Sequence, residues 1–216
     1  MRNVLMTAIF SLSFIITSYG QMSFGVKAGV SPSVAPNTSH VFANRETPRD
    51  EFTFNIANIN NGIYIGGFTE VDMKPFFFRF EALYNQHQVD YILNYTFEKR
   101  GRSAQESILS EQYHRIDIPA SVGVNLGAVE VTSGILTHFN LSQDSELNQI
   151  EGYEGDLPTF ELGWQTGIGV NLANVNLGLT YQMDFNNYGS HMNVNGSTLE
   201  MSNSPTRLIA SIAYKF

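Results

Sequence analysis

Thr206-Arg207-Leu208-Ile209-Ala210-Ser211-Ile212-Ala213-Tyr214-Lys215-Phe216 is the stretch that decides the fold of this 216-residue chain. Leu208, Ala210, Ile212, Tyr214 and Phe216 share one side of an extended strand, while Arg207, Ser211 and Lys215 share the other. That is a period of two, not the 3.6 of a helix. About ten residues with one apolar face and aromatics at the tip are enough to cross a bilayer as one stave of a barrel.

Seven more segments repeat the pattern. Residues 22–31 set Phe24, Val26, Ala28 and Val30 against Lys27 and Ser31, and residues 62–72 set Ile63, Ile65, Thr69 and Val71 against Tyr64, Phe68, Glu70 and Asp72. Residues 76–85, extending toward Tyr91, place Phe76, Phe78, Phe80 and Tyr84 opposite Phe77, Arg79, Glu81 and Leu83. In 112–125, His114, Ile116, Ile118 and Val122 oppose Tyr113, Arg115, Asp117 and Ser121, and Pro119 predicts a bulge or a missing ladder bond. Val129, Val131, Ile135 and Phe139 then oppose Glu130, Thr132 and His138. Phe160, Leu162, Trp164, Ile168 and Val170 oppose Glu161 and Gln165, and Leu177, Leu179, Tyr181 and Phe185 oppose Gln182 and Asp184.

Turns at 73–75, 126–128 and 173–174 are tight, whereas 33–60, 94–110, 142–156 and 187–204 are polar and predict long loops. The expected fold is an all-β, eight-stranded antiparallel transmembrane β-barrel with short periplasmic turns and long extracellular loops. On every strand the charges sit opposite the apolar face. A soluble barrel would invert this, with large apolar groups inside and charges outside.

Residues 1–20 carry Arg2, a mostly apolar run from Val4 to Ile16, and Ser18-Tyr19-Gly20 before Gln21. This predicts an export signal cut after Gly20, with residues 21–216 as the barrel domain in the bacterial outer membrane. The chain has no cysteine, which excludes disulfides, thiol chemistry, cysteine-ligated zinc and an acylated lipoprotein cysteine. A net charge of −8, which becomes −9 once Arg2 is removed, and the lack of any basic patch exclude nucleic acid as a partner.

The start of the expected mature chain, Phe24-Gly25-Val26-Lys27-Ala28-Gly29, together with Arg115-Ile116-Asp117-Ile118-Pro119, Gly167-Ile168-Gly169-Val170 and Tyr214-Lys215-Phe216, resembles the outer-membrane β-barrel family common in Bacteroidota. This porin-like group includes PorT-type members, and the resemblance covers essentially all of residues 21–216. It implies the fold and location already read from the strands, and no specific task. The expected partners are outer-membrane lipid, lipopolysaccharide and the barrel-assembly machinery.

An eight-stranded lumen is just wide enough to be filled by its own side chains. Lys27, Arg79, Arg115, Arg207 and Lys215 are therefore expected to pair there with Glu70, Glu81, Asp117, Glu130, Glu161 and Asp184, with Arg79 and Arg115 as bidentate donors. The protein reads as non-enzymatic, with a structural or surface-recognition role carried by its outer loops. A narrow pore is the alternative, since Gly163, Gly167, Gly169 and Gly178 empty one wall. A lipid-modifying enzyme would use His138 with Ser142 or His114 with Ser110. No cofactor is implied and no histidine has metal-ligand spacing. The acidic run Asp144, Glu146, Glu151, Glu154 and Asp156 reads as a solvated loop, with calcium bridging to lipopolysaccharide as its alternative. Intact-mass measurement of membrane-extracted protein should give a chain starting at Gln21; a retained Met1 would overturn the export signal.

Overall fold

The computed structural model describes residues 21–32, 39–43, 50–97, 102–149, 153–155, 158–186, 192–194, 197–198 and 204–216. The expected signal lies outside them. The strands are β1 (Gln21–Ser31), β2 (Ser39–Ala43), β3 (Asp50–Ile59), β4 (Gly62–Met73), β5 (Phe76–Phe97), β6 (Arg102–Leu126), β7 (Val129–Ser145), β8 (Tyr153–Gly155), β9 (Phe160–Leu172), β10 (Val175–Asp184), β11 (Met192–Val194), β12 (Ser197–Thr198) and β13 (Thr206–Lys215), with a 3-10 turn at Glu146–Gln149.

Eight of these strands close into a ring in the order β1, β4, β5, β6, β7, β9, β10, β13, every neighbour antiparallel. The closing seam is β1 on β13, with Val26 opposite Tyr214 and Val30 opposite Ala210. Stepping across ladder pairs from Gln21 through Asp72, Phe77, Gly123, Thr132, Gly167 and Thr180 arrives at Ile209, beside the Ala210 that faces Val30. The ring thus closes about ten residues further up β1 than it began, a stagger that goes with the roughly 35–45° strand tilt of barrels.

Period-two alternation sorts the side chains. Phe24, Val26, Ile63, Ile65, Phe76, Phe78, Phe80, Ile135, Ile168, Leu177 and Ile212 are exposed on the outside, forming a continuous apolar belt. Tyr84, Phe139, Phe160, Trp164 and Tyr181 lie toward its upper rim, and Phe76, Tyr214 and Phe216 toward the lower, as in the aromatic girdles of membrane barrels. The inside carries buried Glu70, Glu81, Arg115, Asp117, Glu130, His138, Asp184 and Arg207. Pro119 leaves the register unshifted: Phe80 faces Ala120 and Leu83 faces Asp117, with the ladder to β5 interrupted between them. It costs hydrogen bonds rather than adding a bulge, because its missing N–H is on the β5 side, while Pro119 stays paired with Leu136 of β7.

The loops are where the sequence expectation is corrected. Residues 33–60 contain β2 and β3, which form a hairpin docked on the upper half of β5. The expected loop 94–110 is mostly strand, since β5 runs to Phe97 and β6 starts at Arg102. β7 continues to Ser145 and is followed by the 3-10 turn, while β8, β11 and β12 make a small separate sheet. These strands were hidden because above the apolar belt the alternation inverts, with Gln88 and Asp90 outward and buried Val89 and Tyr91 inward, so the apolar-outward pattern that marks the ring breaks off while ladder partners remain. Deleting residues 214–216 removes the β13 side of the seam at Val26 and Gly25, and should abolish heat-modifiable migration on detergent gels; a truncated chain that keeps it would refute the closure role of this strand.

Candidate functional site

The lower lumen is organised by Arg79. Its Nε donates to Glu70 at 2.7 Å, and Nη1 and Nη2 donate to the two oxygens of Glu130 at 2.8 and 3.1 Å, a fork-to-fork pair. The guanidinium lies 5.4 Å from the Phe68 ring centre and 4.8 Å from that of Phe77. Both rings need a bare wall. A Cβ at Gly25 would stand 2.3 Å from Phe68, and one at Gly123 would stand 2.2 Å from Phe77. Lys215 Nζ reaches Glu70 at 2.6 Å and Asp72 at 3.1 Å, and Lys27 Nζ reaches Glu81 at 2.9 Å. These pairs skip a strand, β13 to β4 across β1, β1 to β5 across β4, and β5 to β7 across β6, so they brace the barrel as chords.

The upper lumen is centred on His138, which is fully buried. Its Nδ1 lies 2.5 Å from Asp117 and its Nε2 lies 2.9 Å from Asp184. Two carboxylates on one ring are satisfied when both nitrogens carry a proton. Arg207 Nη2 donates to both Asp184 oxygens at 2.6 and 2.8 Å, and Asn85 donates to Asp117 at 2.9 Å. Arg115 departs from the expected bidentate role. It lies 3.2 Å from Asp117 and 4.0 Å from Asp184, while its Nε and Nη2 make no hydrogen bond. Asp117 is two residues along the same strand and is met sideways, and the Asp184 oxygens are already taken by Arg207 and His138. Glu161 is met by the amides of Asn140 and Asn186, both at 3.2 Å, with no cation in pairing range among the described residues.

The glycine wall is not an open groove. The space beside Gly169 holds Glu130 and Asn176, that beside Gly178 holds Ser211, and that beside Gly167 holds the hydroxyls of Thr132 and Thr180. Two small voids of about 10 and 20 Å³ lie here among the described residues, the larger one polar, each large enough for about one water. Above the charges, buried Ile56, Val89, Tyr91 and Tyr113 line the inner side of the raised sheet, and the 3-10 turn adds the fully buried Leu147. Buried Glu111 anchors this lid by accepting from Tyr113 at 2.6 Å, Gln143 at 2.6 Å and Ser145 at 2.7 Å.

On the outer side, a β7 bulge sets His114 opposite Ser142 and Arg115 opposite Asn140, so Ser142 faces out while His138 faces in. Ser110 donates to Asp90 at 2.8 Å, four residues from His114, which instead contacts the Tyr84 hydroxyl at 2.6 Å. Neither expected Ser/His pair is assembled. Gln88, Ser110 and Asn60 all donate to Asp90. Partial burial pulls its carboxyl up, but these bonds hold it below its ordinary value, so their support is full above the usual carboxylate range and fades as pH falls through the lowered one. Asp144 and Glu146 border an open groove of about 540 Å³ here, while Glu151, Glu154 and Asp156 lie outside the described side chains. His138, Glu111 and Asp90 escaped the sequence reading as a working set. Alternation placed His138 inward but not between two aspartates, Glu111 fell at the edge of an expected loop, and Asp90 fell in the extension toward Tyr91 with no role assigned to it.

No family model matches this chain, and no curated protein does. Among solved structures, the translocator domain of the autotransporter NalP from Neisseria meningitidis aligns over 100% of this chain and 95% of that one, at 11% identity and a TM-score of 0.37. The barrel assignment rests on the closed ring of strands, not on this likeness.

Arg79→Ala leaves Glu130 buried without its cation and Glu70 with Lys215 alone, and should cost about 3–5 kcal/mol. Arg79→Met combined with Glu130→Met removes both charges and should recover most of that. Urea unfolding of refolded protein, followed by the single tryptophan, Trp164, measures both; equal losses would mean that charge pairing is not what holds this layer.

Proposed function

We propose that this chain is an integral outer-membrane β-barrel, non-enzymatic, with a closed lumen and a structural or surface-recognition role performed by the sheet it raises beyond the membrane. The observation that carries this reading is strand length. β5 has 22 residues and β6 has 25, whereas about 9–11 cross a bilayer. The excess, joined by β2 and β3, is a built surface of paired strands that a channel does not need. A lumen braced by ion pairs supports the closed reading. The tight turns then face the periplasm and the raised sheet faces outward, among lipopolysaccharide, after insertion by the barrel-assembly machinery.

The chain has no cysteine, so single introduced thiols report topology directly. On intact cells, Asp144→Cys should react with a membrane-impermeant maleimide and Asn174→Cys, in the β9–β10 turn, should not. Purified protein in planar bilayers should show no stable channel. Labelling at the turn instead of the sheet would overturn the orientation, and a steady ion-selective conductance would favour the narrow pore.

A further inference from the structure

The groove outside the barrel wall is formed where β5, β6, β7 and the 3-10 turn meet, just above Tyr84 and His114. Three carboxamides, Gln88, Gln112 and Asn148, and two carboxylates, Asp144 and Glu146, border it with the Ser110 hydroxyl, while Gln143 and Ser145 border it with their polar groups turned inward to buried Glu111. Among the described residues that line it, none is basic. Part of the set is held in place from behind. Gln88 donates to Asp90 at 2.8 Å, Gln143 donates to buried Glu111 at 2.6 Å, and Glu146 accepts the Ser110 N–H at 2.9 Å. The side chains of Gln112, Asp144 and Asn148 hydrogen-bond to no other described residue, which leaves them available to a ligand.

We propose that this groove binds neutral saccharide, a proposal that rests on reading the raised sheet as a recognition surface. A sugar hydroxyl both donates and accepts, and a carboxamide presents a donor and an acceptor in one plane, so several carboxamides match adjacent hydroxyls as a set. Phosphate or uronate groups would meet Asp144 and Glu146 with no cation to offset them. A lysine-rich peptide would find one uncommitted carboxylate, Asp144, since Glu146 is engaged. The volume falls in the roughly 300–1,000 Å³ range of ligand sites and is enough for a short oligosaccharide. A free polysaccharide and a membrane glycolipid present the same neutral sugar chemistry.

The test uses the full protein in nanodiscs, with saturation-transfer NMR against maltotriose, chitotriose and isomaltotriose, and with tri-galacturonate and tetralysine as charged probes. At least one neutral trisaccharide should bind. Gln112→Ala combined with Asn148→Ala should weaken it at least tenfold with heat-modifiable migration intact, and Asp144→Asn should change it less than threefold. Competition by digalactosyl diacylglycerol in the disc assigns the site to lipid-linked sugar, and its absence assigns it to soluble glycan. No transfer to any neutral sugar, undiminished binding in the double variant, or tetralysine binding lost in Asp144→Asn would overturn the proposal. If Asp144→Cys labels on cells and no sugar binds, only the ligand class fails; if it does not label, the recognition surface itself fails.

Discussion

Everything in this molecule depends on the pairing of β1 with β13. A sheet with an apolar outer face cannot leave a free edge in hydrocarbon, where an unpaired N–H or C=O has no water to turn to. Closure is the solution, and the stagger of about ten residues around the ring then sets how wide the barrel is. A ring of eight strands with that stagger encloses a narrow space lined by every second residue. Whatever the inward positions carry must fill that space and satisfy itself.

The inward positions carry charge, and the charges are placed so that their attraction does mechanical work. Lys27–Glu81, Lys215–Glu70 and Arg79–Glu130 each join strands that are not ladder neighbours. Ladder bonds resist separation of adjacent strands, while these chords resist flattening of the ring. The same arrangement fixes register. Sliding one strand by a single residue would turn Arg79 or Glu130 out toward lipid, at roughly 2–4 kcal/mol for a basic group near the midplane, and would leave its partner unpaired inside. Buried ion pairs are weak evidence for stability, and their worth here lies in making the wrong pairings expensive.

The ring was legible from the sequence because the apolar belt imposes alternation on every residue that crosses it. Val26, Phe80, Ile135 and Ile212 alternate with Lys27, Arg79, Gly134 and Ser211, and the three tight turns mark where the chain reverses. The raised sheet was not legible for the same reason. Outside the belt, Gln86, Gln88 and Asp90 share the outward face with Tyr84, so nothing in their polarity separates a strand from a loop. Within the lumen, alternation gave the inward set but not the partners: Arg115 and Arg207 look equivalent in sequence, and only the ring's stagger decides that Arg207 takes Asp184. The β7 bulge at Leu141, which turns Ser142 outward, has no glycine or proline to announce it.

The middle of the lumen and its outer mouth are lined by different chemistry, charged in the one and mostly apolar in the other. The middle is held by paired charges, which leave room for the small voids beside Thr180 and Ser211. The outer mouth is lined by buried Ile56, Val89, Tyr91 and Tyr113 on β3, β5 and β6, with buried Leu147 on the 3-10 turn. A pore has no use for such a lining, but a raised sheet does. Without it, long antiparallel strands extending beyond the apolar belt would have no core of their own and would splay. With it, the raised strands have a core of their own, and the polar groove beside them is built on paired strands rather than on a loop, which would lower the ordering cost of the proposed saccharide contacts.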